Sequence, residues 1–332
     1  MQYHPTKVGI DISKATFDCY LNKGRKGKVK KFPNDQSGFA DLARWLQKEG
    51  VTHYHASMES TGKYWIALAE ELANAGQHVS VINALQIKRY KDYVKLHGNK
   101  TDKADAQLIA EYCEKEAEKL RLWEIPSEQS RHLRALVRLM DDLKGDLNRT
   151  KNRIASIVSD EMVLATLKRM QVYTESEIKR LESEIKKVIN QNSVLKKKYN
   201  LLRSIPGVGD KTATRFLADF PDLSLFKTHA QLVAFLGLNP TMVQSGESVR
   251  GRSRISKQGS SQWRAALWFP CIAALRKNPI IIELSARMFA KGHAKMEVKI
   301  AAMRKLVVQM YGVLKSGKPF DPVYGRKIAL SS

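Results

Sequence analysis

Asp11, Glu59, Asp102 and Asp105 are four acids in a chain of 332 residues whose formal net charge is +24. So basic a chain attracts polyanions, and acids gathered within it call for a counter-charge of their own. Hard divalent ions such as Mg2+ prefer carboxylate oxygens and keep several waters. Two such ions about 3.5–4 Å apart can activate a nucleophile and stabilise the leaving oxygen of an in-line phosphodiester displacement. Four carboxylates suffice to hold the pair.

Each acid needs an element to aim it. In VGIDIS (8–13) the alternation places Val8 and Ile10 on one strand face and Gly9 and Asp11 on the other. Aspartate is disfavoured in mid-strand, which argues for a compensating cation. Glu59 ends the run VTHYHASME (51–59), and Ser60-Thr61-Gly62 starts a helix. Asp102 and Asp105 stand i, i+3 near a helix N-terminus, about 5–6 Å apart at Cβ. Complementing the helix dipole is the alternative role for these two. His53 and His55 share a strand face with Glu59, where satisfied structural histidines are expected.

The surrounding elements divide into three segments. Residues 1–120 alternate strand and helix: strands at 8–13, 15–22, 28–34, 51–59 and 78–83, helices at 36–50, 62–76 and 101–120. This pattern predicts an α/β domain, a mixed sheet flanked by helices. Residues 121–200 are helical. Leu133, Leu136, Met140, Leu143, Leu147, Thr150, Ile154 and Ile157 trace a 3-4-3-4 seam, resumed by Ile178, Leu181, Ile185 and Val188 after a break near 170–174. A hairpin within the chain and an intermolecular coil both fit, and an oligomerisation role is expected. Residues 201–332 open on LLRSIPGVGDKTATRFLADF, a helix-hairpin-helix, and continue with a polar loop at 239–262 and helices near 262–277 and 294–314.

Polyanion binding is expected mainly at the C-terminal end. Residues 196–332 hold 24 Lys/Arg against 7 Asp/Glu, so +17 of the +24 lies there. In the hairpin, Gly207 and Gly209 would let backbone N–H groups approach a phosphate, with Lys211 beside them on the next helix. In RGRSRISK (250–257), Arg250, Arg252, Arg254 and Lys257 alternate with Gly and Ser as a phosphate-tracking loop. Trp263 and Trp268 are expected to pack in the core. Cys19, Cys113 and Cys271 lack metal-ligand spacing and read as reduced thiols, which excludes a disulfide framework or zinc site. With no apolar run of 18 residues and no apolar leader, a cytoplasmic protein without a membrane partner is expected.

The order of strand Asp, strand-end Glu and helical Asp-x-x-Asp resembles the RuvC-like branch of the RNase H-like superfamily. It differs from proofreading exonucleases, whose first motif is Asp-x-Glu where this chain has Asp11-Ile12-Ser13. The words GIDISKATFD (9–18), MESTGKYW (58–65) and KTDKADAQLIAEY (100–112) resemble transposases of the insertion-sequence-110 family. So do PGVG (206–209), FLGLNPTMVQSGES (235–248) and ISKQGSSQWRAALW (255–268), so the resemblance spans nearly the whole chain.

That resemblance implies a prokaryotic, nucleoid-associated recombinase acting on target and donor DNA, guided by a structured bridge RNA. It further implies two Mg2+ ions and a dimeric or tetrameric assembly. It also implies a serine that joins covalently to a DNA phosphate, and the matching position is Ser245. The loop chemistry by itself leaves Ser248, Ser253, Ser256, Ser260 and Ser261 in competition, with Ser248 the runner-up. Two alternatives stand beside this reading: a junction endonuclease that uses water, and a non-catalytic RNA-binding or architectural protein.

Overall fold

A computed structural model describes residues 5–23, 27–60, 62–94, 102–117, 119–156, 160–223, 226–241, 244–245, 249–250, 254–255 and 259–323. The chain divides into two compact units, Met1–Ile125 and Pro126–Ser332.

The first unit is built on a five-stranded mixed sheet. Its strands are β1 (Thr6–Ile12), β2 (Thr16–Leu21), β3 (Lys28–Pro33), β4 (Tyr54–Glu59) and β5 (His78–Ile82), in the order β3-β2-β1-β4-β5. β1, β2 and β3 pair antiparallel, whereas β4 joins β1, and β5 joins β4, in parallel. The helices are α1 (Gln36–Lys48), α2 (Ile66–Asn74), α3 (Ala84–Val94) and α4 (Asp102–Lys115). This is the mixed sheet flanked by helices that the sequence predicts.

Alternation along the strands gives the sheet two unlike faces. Val8, Ile10, Ile12, Phe17, Cys19, Leu21, Ala56 and Met58 pack with Phe39, Leu42 and Leu46 of α1 and Leu68 and Leu72 of α2. The opposite face carries Gly9, Tyr20, Ser57 and Ser80 and receives α4. A Cβ on Gly9 would lie 2.1 Å from the Ala106 carbonyl oxygen and 2.4 Å from the Ala110 nitrogen. The helix backbone therefore rests directly on β1, and only glycine leaves room for it. α3 docks by burying Ile87 against Ile82, Leu108 and Ile109.

The second unit begins with α5 (Glu128–Ser156) and α6 (Glu161–Gln191), which pair with each other. Lys144–Glu182 and Lys151–Glu175 ion pairs cross the seam. The predicted interruption at 170–174 is absent. α6 runs through it and starts instead at Asp160, whose side chain accepts from the Val163 N–H. Leu133, Val137, Met140, Leu181, Ile185 and Ile189 of this pair join the core formed by the following helices.

Those helices are α7 (Ser193–Arg203), α8 (Asp210–Asp219) and α9 (His229–Phe235), then α10 (Ser261–Ala266), α11 (Trp268–Lys277), α12 (Pro279–Ala290) and α13 (Lys295–Ser316). Between α9 and α10 lie short strands β6 (Pro240–Thr241), β7 (Gln244–Ser245), β8 (Val249–Arg250) and β9 (Arg254–Ile255), pairing β6 with β9 and β7 with β8. Among the described residues no single helix is long and apolar enough to cross a membrane.

Candidate active site and nucleic-acid interface

Parallel pairing of β1 with β4 puts Gly9 opposite Ser57 and Ile10 opposite Met58. One residue beyond, Asp11 and Glu59 therefore stand at the same end of neighbouring strands, and both lie on the α4 face. The close seat of α4 on Gly9 brings the first turns of that helix to the same end. Asp105 immediately precedes Ala106, the residue nearest Gly9. Asp102 opens α4, and its side chain lies outside the described residues.

Glu59 is half-buried, and its carboxyl is pushed above the usual carboxylate range, first by burial and then by the Asp105 charge. Lys91 acts against both and lowers it. The Lys91 ammonium is ion-paired with Asp105, with 22% and 27% of the two side chains exposed. An acid not singled out from sequence also lies here. Asp18, 7% exposed, is the register partner of Asp11 on β2 and has Lys31 at 3.5 Å. Opposed like charges destabilise a strand pair, so this row needs cations.

The loops around this end are tied together. The Asn34 amide donates to the Ser13 carbonyl at 2.9 Å and the Tyr64 carbonyl at 3.2 Å. It thereby links the turn after Asp11 to the segment after Glu59. His55, 4% exposed on the same face, is held at 2.8 Å by Ser80 and stays largely neutral. It is the satisfied structural histidine expected.

The donors are all hard carboxylate oxygens, as a divalent ion requires, and a positive group, the Lys91 ammonium, already stands among them. Among the described residues no three His, Cys, Asp or Glu side chains stand within range of one ion in this arrangement. Asp11, Glu59 and Asp105, with Asp102, are the residues that would hold it.

In the second unit, Ser245 ends β7 and is the register partner of Val249 on β8. Arg250 on β8 is opposite Gln244, and Arg254 on β9 is opposite Thr241. Ser248, Arg252 and Lys257 lie outside the described residues, as do the side chains of Ser245, Arg250 and Arg254. The segment is anchored at its far end. Gly259 has φ +121°, and a Cβ there would lie 2.6 Å from the Phe235 carbonyl oxygen and the Gly237 nitrogen; Ser260 caps α10 by accepting from the Trp263 N–H.

The PGVG turn joins α7 to α8. Gly207 has φ +104°, and a Cβ there would meet Ala274 at 2.6 Å, so packing against α11 already demands glycine. Gly209 faces open space and is the N-cap of α8. Lys211 rims a cleft of about 270 Å³ with Lys186, Tyr199 and Asp210. Trp263 is buried and donates to Asp219 at 2.9 Å, as a core residue. All three cysteines are buried and free.

A "Transposase" family model of the DEDD, IS110 type matches residues 8–162, and "Transposase IS116/IS110/IS902 family" matches residues 199–286. The pilin gene-inverting protein of Moraxella bovis is 33% identical over 321 residues, covering 95% of this chain and 98% of that one. The transposase for insertion sequence element IS1111A of Coxiella burnetii is 29% identical over 219 residues, 56% of this chain and 57% of that protein. T. thermophilus RuvC in complex with Holliday junction substrate aligns over 36% of this chain and 100% of its own at 12% identity, with a TM-score of 0.28.

Proposed function

Because this chain belongs to the IS116/IS110/IS902 family of transposases, we propose that it excises and inserts its own insertion sequence by covalent serine chemistry at a two-metal carboxylate site. Family membership brings DNA as substrate and, through the DEDD domain, the use of a divalent metal. The observation that carries the site assignment is the meeting of Asp11, Glu59 and the α4 N-terminal turns at one end of the sheet.

In this reading Asp11, Glu59, Asp102 and Asp105 would hold two Mg2+ ions, which would supply charge neutralisation at the scissile phosphate and its leaving oxygen. Ser245 Oγ attacks the phosphorus, losing its proton to solvent, while the ester bond to the leaving strand breaks. The hydroxyl of the exchanged strand then attacks the phosphoserine, a phosphodiester re-forms and Ser245 recovers its proton. Arg250, Arg252, Arg254 and Lys257 neutralise the backbone beside Ser245. Gly209 and Lys211 add a phosphate contact at the α8 N-terminus.

A structured bridge RNA pairs with target and donor DNA and supplies sequence choice, while the basic second unit follows backbone and shape. The Moraxella relative is named for inverting a gene. Exchange between two sites excises or inverts the intervening DNA according to their relative orientation. A homo-oligomer, dimer or tetramer, brings the two sites together, and the exposed Met162, Val172 and Tyr173 on α6 suit such an assembly.

Recombination of a two-site plasmid reporter tests the carboxylate site. Asp105→Asn should abolish recombination while DNA retention on a column persists. Wild-type recombination by this variant would remove Asp105 from the chemistry.

A further inference from the structure

We propose that Lys91 is the resident counter-ion of the carboxylate site, occupying it in the metal-free protein and competing with the divalent ions that load it. The inference rests on the carboxylate site described above and adds the residue that controls its filling.

Lys91 is not a loose surface lysine. Ile87, one turn earlier on α3, is buried against Leu108 and Ile109 of α4. The Tyr90 ring meets Tyr112 of α4 edge-on at 5.2 Å. These two contacts fix α3 against α4, and the next residue, Lys91, extends to Asp105. Its side chain is only 22% exposed, so the ammonium has exchanged much of its water for the carboxylate. Lys88, one turn back, is exposed.

The charge distribution gives this placement a purpose. Asp11, Glu59, Asp105 and Asp18 gather at one sheet end, a density of like charge that strand pairing and burial both disfavour. A fixed ammonium holds Asp105 and offsets the repulsion until metal arrives. A divalent ion on Asp105 must displace it, so part of the metal's binding energy is spent breaking the ion pair. Removing the lysine should therefore weaken the metal-free protein and tighten metal binding together. A residue serving only to pack α3 would do the first without the second.

The test uses the full chain with Mn2+ as probe, followed by calorimetric titration and by the melting temperature in chelator and in saturating metal. Lys91→Gln should melt lower than wild type in chelator and bind Mn2+ about five- to tenfold more tightly, the scale of one partly exposed ion pair of about 1 kcal/mol. Lys91→Arg should restore wild-type values in both measurements. Equal or weaker Mn2+ affinity in Lys91→Gln would overturn the proposal while leaving the carboxylate site intact. The same tightening in Lys88→Gln would overturn it too, by reducing the effect to general charge. If the wild type itself takes up no Mn2+, the carboxylate site fails and this inference with it.

Discussion

Gly9→Ala should disable the protein without touching a carboxylate. The added methyl would lie 2.1 Å from the Ala106 carbonyl oxygen and 2.4 Å from the Ala110 nitrogen, both backbone atoms that no rotamer change can move aside. Ordinary contact begins at 3.4 Å, so the backbone of α4 must retreat from β1 by about 1.3 Å, the difference between 3.4 and 2.1. Overpacking of this kind costs about 1–3 kcal/mol. A unit of this size should then melt lower by roughly 4 °C for each kcal/mol. The larger effect is on chemistry, because Asp102 and Asp105 travel with the helix while Asp11 and Glu59 stay on the sheet. A misplacement of about 1 Å costs on the order of 100-fold in rate. Single-turnover strand cleavage at saturating Mg2+ gives the rate, and calorimetry the stability. Gly145→Ala, where nothing lies within 4 Å on α5, serves as a control and should be neutral or slightly stabilising. Wild-type stability and rate in Gly9→Ala would refute the placement of α4 on β1 and the site built from it.

Burial lowers the His55 pKa from 6.5 to about 4, helped by Lys7 and His78. The unfolded chain takes the proton first, so the stability this residue confers is complete above about pH 6.5 and declines as pH falls toward 4, by up to ~3 kcal/mol. Urea midpoints at pH 7.5 and 4.5 should differ less in His55→Gln than in wild type; an unchanged difference would assign the acid sensitivity elsewhere. Gly207→Ala should lower the melting temperature, because its Cβ meets Ala274 at 2.6 Å and its φ is +104°. Gly209→Ala should lower the melting temperature only slightly, as alanine is a poorer N-cap than glycine, and weaken nucleic-acid retention a few-fold at low salt. Equal retention by Gly209→Ala and wild type would remove the α8 N-terminus from the phosphate path.

The sheet and the paired long helices were legible because their apolar periods, two for strands and 3.5 for the seam, are strong. Asp11 and Glu59 were legible as strand acids for the same reason. Val172, Tyr173 and Thr174 read as a break because β-branched and aromatic residues are weaker helix formers. Pairing with α5 on either side sustains α6 through them. The true start was marked by Asp160 as N-cap, a one-residue signal easily lost in a charged stretch. α3 was not legible, since it buries Ile87 alone and leaves Leu85, Tyr93 and Val94 exposed, so its apolar residues do not mark one face. Lys91 went unseen with it, for a cation reaching Asp105 from another helix is a tertiary fact. Asp18 likewise acquires meaning only from the β1–β2 register that sets it opposite Asp11.

Carboxylates near the N-terminus and Ser245 should serve one reaction. Denaturing the protein during reaction with donor DNA, then locating the DNA remnant by peptide mass spectrometry, tests it most directly. A denaturation-resistant adduct on Ser245 should form only with divalent metal and disappear in both Ser245→Ala and Asp105→Asn. Recombinant product formed at the normal rate with no adduct, or an adduct that persists in Ser245→Ala, would contradict it.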